Sequence, residues 1–326
     1  MNLGTGFKMS LLFVVMLILC VSIAGCGMSP RAQSADPDAL QGTLTVSGAW
    51  ALYPLMVRWG EEFQKVHPDV RFDISAGGAG KGMADALAGA VDIGMVSREI
   101  YPEEVEKGAF WVSVTKDAVF PTVSTKNPAL EQLLQQGVSR EIFMGIFIIG
   151  EITTWGQVVN QPSITEPIHI FTRSDACGAA ATWAEYLDAD QEDLLGVAVY
   201  GDPGLLDAVI KDPLGIGFNN LNYAFDMETG EPVAGARVIP VDVDGDGKVS
   251  TDEIYTDKSQ AVAAIASGHY PSPPARDLNL VTLGKPTGLT RAFITWILGD
   301  GQNYVGEAGY ISLPQEVLAK ELEKLD

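Results

Sequence analysis

From residue 42 onward, apolar residues recur alternately at helical and at strand spacing, the pattern of an α/β chain. Leu52, Leu55, Met56, Trp59, Phe63 and Val66 fall on one helical stripe, which His67-Pro68 ends. Val70 to Ile74 reads as a strand. Met83, Ala84, Leu87 and Ala88 make a shorter stripe that closes at Gly89, before the strand-like Val91 to Val96. Ala118 to Ser124 is another apolar strand, and Leu289, Phe293, Trp296 and Ile297 mark a last helix stopped by Gly299. Proline and glycine punctuation places lobe boundaries within this order. Residues 42–121 plus 225–326 are expected to form one lobe and residues 122–224 a second.

Three segments read as a strand, a small-residue turn and a helix start: Leu44 to Leu55, Phe72 to Met83 and Ile168 to Trp183. The first turn of a helix exposes unpaired N–H groups and the positive end of its dipole, so each is a candidate anion seat.

The first residues have a different pattern. Lys8 precedes an apolar run from Met9 to Ile23, the length of a signal h-region. The run ends in Ile23-Ala24-Gly25-Cys26, which resembles a bacterial lipobox. Residues 1–25 are therefore expected to be a leader, Cys26 a lipidation site and residues 26–41 a flexible tether. The membrane is then met through the lipid alone, on its outer side. The formal charge of −21 argues against nucleic-acid binding. Of three cysteines, Cys20 would leave with the leader and Cys26 would carry lipid, so Cys177 has no disulfide partner.

Taken in order, several motifs resemble the phosphate ABC-transporter substrate-binding family, the periplasmic-binding-protein type with two crossovers between lobes. They are Gly48 to Pro54, Gly78-Ala79-Gly80-Lys81-Gly82, Asp92-Ile93-Gly94 to Ser97-Arg98, Phe147 to Val158, Arg173 to Gly178, Asp212 to Phe218 and Phe293 to Tyr310. The resemblance implies a two-lobed α/β binding protein, monomeric, that closes over an oxyanion and delivers it to a permease. It also implies contacts from Trp50, Ala51, Leu52, Ala79, Gly80, Ser97, Arg98, Arg173, Cys177, Gly178 and Ala179. The chain departs from the family at four of these places. Hydroxyls of the family's first turns fall at Ala51, Ala79, Cys177 and Ala179, and a position acidic in some members is Ser97. Each lost hydrogen bond to a buried charged partner is worth about 1–3 kcal/mol. The amides of Ala51, Leu52, Gly80, Gly178 and Ala179 remain to donate, with Arg173 as a bidentate contact. A small organic anion on Trp50 or Tyr53 stays open, as does a sensor or adaptor of the same fold that binds another anion or a partner protein.

Enzyme chemistry has one foothold, Cys177 at a helix start, where a thiol's pKa falls. None of the three histidines, His67, His169 and His269, forms a recognisable pair with it, so no catalysis is expected. Residues Asp242 to Glu253 match the twelve-residue calcium loop. Asp242, Asp244 and Asp246 would supply carboxylates, Lys248 its carbonyl and Glu253 a bidentate carboxylate, making a structural clip for calcium.

Overall fold

The computed structural model describes residues 40–326, so the expected leader, the tether and Cys26 lie outside the described residues. Its strands are β1 (Gly42–Gly48), β2 (Val70–Ala76), β3 (Ile93–Val96), β4 (Ala109–Ser124), β5 (Val138–Ser139), β6 (His169–Arg173), β7 (Val197–Val199), β8 (Gly215–Asn220), β9 (Ala236–Val238), β10 (Val241–Asp242) and β11 (Ala275–Leu283). They run β2-β1-β3-β11-β4-β8-β6-β7 across one sheet, with β9 also on β4 and a separate β10-β5 pair.

Strand β4 explains the two lobes. Its first ten residues pair antiparallel with β11 and its last six with β8 and β9. Val112 and Val114 pack in one core with β1 to β3 and the Gly288–Leu298 helix, while Ala118 to Val123 pack in the other. The periodicity located only the second half of this strand. In the first half the apolar run stops after Ala109 to Val112, and Ser113, Thr115, Lys116 and Asp117 interrupt the pattern before it resumes at Ala118.

The return to lobe 1 comes later than the sequence placed it. Phe225, Val238, Ile239, Val241, Tyr255, Ala261, Ile265 and Tyr270 all join the second core. The chain crosses back only with β11, so residues 225–275 belong with lobe 2. Tyr270 and Tyr255 close on Phe120 with ring centroids 4.5 and 5.6 Å away, and that burial outweighs the Gly- and Asp-rich composition that suggested a boundary.

Helices Tyr53–Val66 and Ala79–Leu87 follow the parallel strands β1 and β2. Helices Gly178–Tyr186 and Gly201–Lys211 follow the parallel pair β6 and β7. All four therefore begin at the carboxyl ends of parallel strands, where open α/β sheets place their ligands. No helix among the described residues is long and apolar enough to cross a membrane.

Candidate ligand site between the lobes

The helix starts of the two lobes press against each other. A Cβ on Gly178 would stand 2.1 Å from the Ser97 carbonyl oxygen and 2.2 Å from its hydroxyl. The Gly80 amide donates to the Ala176 carbonyl across the gap at 3.0 Å. Trp50 meets the other lobe edge-on to Tyr200, with centroids 6.2 Å apart, and lies over Gly201. Tyr223 donates to the Trp50 carbonyl at 3.4 Å. Glycine is required for this fit at Gly78, whose φ of 92° and closeness to Ala176 exclude a side chain.

Ala51, Leu52, Ala79, Ser97, Cys177, Gly178 and Ala179 are all buried at this contact. Not every expected amide is free. Leu52 donates to the Ala49 carbonyl at 3.1 Å and Gly80 to Ala176, so two of the five are already taken. Ala51, Gly178 and Ala179 keep their N–H groups without an acceptor among the described residues, and so does Ala79.

Arg173 is more constrained than its sequence position suggested. Its side chain is fully buried, donating from Nε and Nη2 to Asp175 at 2.8 and 2.6 Å and from Nη1 to Asp202 at 2.7 Å. The bidentate edge expected to hold an anion is thus spent on Asp175, leaving one N–H on each terminal nitrogen. Two buried carboxylates also offset its charge. Arg98 is likewise engaged, forked onto Glu104 at 2.7 and 3.0 Å and stacked over Tyr101. Lys81 pairs with Asp85.

Cys177 caps its helix. Its Sγ accepts from the Ala180 amide at 3.4 Å, and burial pushes the thiol up to about 12, with Arg173 pulling only part of the way back. Burial keeps the thiol protonated, the carboxylates of Asp175 and Asp202 face Arg173, and His169 is committed to Asp212 at 2.7 Å. This geometry fits a cap and not a nucleophile.

The sequence reading missed a second buried ionic group at the floor of the cleft. Asp117 of β4 and Arg276 of β11 are cross-strand partners, with Nη2 of Arg276 standing 3.6 Å from the Asp117 carboxylate and donating to Asn220. Both are buried, and burial raises Asp117 to about 6 against the opposing pull of Arg276. Nε and Nη1 of Arg276 and both Asp117 oxygens lack hydrogen-bond partners. Asn220 links the pair onward, since its amide donates to Asp202 at 3.1 Å. Only the Pro-rich segment before Arg276 signalled a crossover in the sequence. A cross-strand pair so distant along the chain leaves no local pattern.

In the acidic loop, carboxylate oxygens of Asp242, Asp244 and Asp246 lie within 4.8 Å of one another. Asp242 accepts from the Gly245 and Gly247 amides at 2.8 and 3.0 Å. Glu253, expected as a bidentate ligand, instead accepts from the Val243 and Ser250 amides at 2.7 and 2.8 Å. The loop therefore converges three of the four expected carboxylates.

Comparison with known proteins agrees with this architecture. A model of the PBP superfamily domain matches residues 33–301. The phosphate-binding protein PstS of Bacillus subtilis is 24% identical over 309 residues, covering 92% of each chain. PstS of Methanocaldococcus jannaschii is 25% identical over 365 residues, covering 94% of this chain and 92% of the relative. An ABC-type phosphate transport receptor from Vibrio cholerae superposes with a TM-score of 0.60 at 18% identity, covering 83% of this chain and all of that one. A candidate phosphate ABC transporter substrate-binding protein from Clostridium perfringens, crystallised with phosphate, gives 0.68 at 22% identity, covering 84% and 100%. With the sheet order, the two cores and the facing helix starts, the match over most of its length establishes that the chain belongs to the PBP superfamily.

Proposed function

We propose that this protein is an extracytoplasmic solute-binding protein that closes its two lobes over a small phosphate-like oxyanion and presents it to the permease of an ABC importer. One observation carries the reading: helix starts from both lobes meet at a buried junction with the amides of Ala51, Ala79, Gly178 and Ala179 unspent. Such amides suit an anion because the helix dipole and the N–H groups act together. Relatives named as phosphate-binding proteins cover nearly the whole chain, which supports an oxyanion as the cargo. Lipid at Cys26 would hold the protein at the outer membrane face, with residues 26–41 as tether.

Calcium fits the acidic loop in part. Asp242, Asp244 and Asp246 would hold it, with Asp242 oriented by the Gly245 and Gly247 amides. Pairing of β10 with β5 ties the loop to lobe 2, so the ion would stiffen that lobe.

Calorimetric titration of phosphate into residues 27–326, with sulfate, molybdate and tungstate in parallel, tests the cargo. Micromolar or tighter binding of at least one of these anions is expected. Silence across the panel would overturn the oxyanion reading and favour a sensor or adaptor of the same fold.

A further inference from the structure

Strands β4 and β11 are the two segments that pass between the lobes, and Asp117 and Arg276 pair across them. Asp117 stands just before Val119, where β4 leaves β11 and takes up β8, so the pair lies on the line about which the lobes can turn. Contacts between the lobes seal this point. Trp50 meets Tyr200, the Gly80 amide meets Ala176, and Tyr223 of lobe 2 donates to the Trp50 carbonyl of lobe 1. Asp117 is left 1% exposed.

Both lobes supply its surroundings. Arg276 of β11 and Tyr310 face it from one side, and Asp202, Tyr223, Lys258 and Tyr270 from lobe 2. Most of these groups are spent elsewhere. Tyr310 donates to the Ala51 carbonyl, Tyr270 to the Val119 carbonyl and Lys258 to the Ala308 carbonyl, while Asp202 accepts from Arg173. Neither oxygen of Asp117 accepts from a side chain, and its near cation, Arg276, stands 3.6 Å away with Nη2 turned to Asn220. A sealed carboxylate so poorly paired is costly as an anion and holds a proton more readily. Burial accordingly raises Asp117 to about 6, with Arg276 pulling down and Asp202 pushing up.

We propose that closing the lobes takes up a proton at Asp117, which makes the crossover strands an acid-sensitive hinge. The closed, anion-holding form then gains on the open one as the surroundings become more acidic. Parting the lobes breaks the contacts above and lets water reach the floor of the cleft, where a hydrated carboxylate returns towards its ordinary value of 3.8. By linkage the gain is full below the open form's pKa and is lost as pH rises through about 6. The inference rests on the oxyanion reading above and adds a control on the same closure.

Calorimetry of inorganic phosphate into residues 27–326 tests it, with Asp117→Asn run beside the wild type at each pH because phosphate itself titrates. The ratio of wild-type to variant affinity should be about tenfold higher at about pH 5 than at about pH 8, since the closed form alone holds the proton over that range. Carboxyl-carbon NMR of the wild-type chain gives a second reading that needs no variant to fold. Asp117 should titrate at about 6 with phosphate bound and clearly lower without it. A ratio that stays level or falls towards acid, or equal midpoints with and without phosphate, overturns the inference and leaves the oxyanion reading standing. Silence with phosphate at every pH overturns both.

Discussion

Arg173 and Arg276 are both sealed within the cleft, and they differ in how completely they are satisfied. Arg173 engages two carboxylates through three hydrogen bonds, one of them to Asp202, whose side chain is also fully buried. Arg276 has Asn220 and a carboxylate 3.6 Å away, with two of its nitrogens unpartnered. A buried guanidinium whose every nitrogen has a partner is held more firmly than one with unpartnered nitrogens. On this comparison Arg173 fixes the β6 wall of the site, and Arg276, on a strand that joins the lobes, is the less completely paired of the two cations.

The largest expected effect is therefore on stability at Arg173. Arg173→Ala strands Asp175 and Asp202 without their counter-charge, and the loss should be about 3–5 kcal/mol in urea unfolding. Arg276→Ala should cost clearly less, because fewer bonds are broken. Equal losses for the two variants would erase the distinction between them.

Asp117 sharpens the comparison through pH. Its carboxyl is raised to about 6 in the fold, chiefly by burial and further by Asp202, while Arg276 opposes. The folded chain thus holds this proton more tightly than the unfolded chain. Below its ordinary pKa near 3.8 both forms are protonated and nothing changes. As pH rises from there to about 6 the unfolded chain releases the proton first, so stability falls by up to about 1.4 kcal/mol per pH unit. Asp117→Asn should flatten that part of the stability profile. An unchanged slope would mean that Arg276 neutralises Asp117 more fully than its 3.6 Å separation implies.

Much of this arrangement was legible in the sequence, and the reasons for the rest are physical. Pro54 and Gly78 mark two helix starts because backbone geometry demands those residues locally. The missing hydroxyls at Ala51, Ala79 and Ala179 were equally visible, since residue type alone settles them. What stayed hidden was pairing. Asp202 reaches Arg173 across 29 residues, and β4 brings Asp117 to Arg276 from opposite ends of lobe 2. The amides of Leu52 and Gly80 looked free because only tertiary contact shows their acceptors.

Closure gives a further, smaller effect. Gly178 touches Ser97 only through lobe contact, so Gly178→Val should block the closed form while leaving each core intact. Anion affinity should drop at least about tenfold, near 1.4 kcal/mol, with little change in melting temperature measured without ligand. An unaltered affinity would mean that cargo binds without this contact between the lobes.

The acidic loop stands apart from both guanidiniums, and it is expected to give the smallest shift. Its three converging carboxylates belong to a loop that follows β10 and is tied to lobe 2 by the β10–β5 pair, away from the cleft residues named above. At a calcium concentration tenfold above the dissociation constant, binding to the folded state alone adds about 1.4 kcal/mol. For a chain of this length that corresponds to a rise in melting temperature of about 2–4 °C. Asp244→Asn should abolish the rise, whereas Glu253→Gln should lower the baseline melting temperature even without calcium, because Glu253 already accepts from Val243 and Ser250. If calcium leaves the wild-type melting temperature unmoved, the three carboxylates form only a solvated turn, and Asp242 serves through its bonds to Gly245 and Gly247 alone.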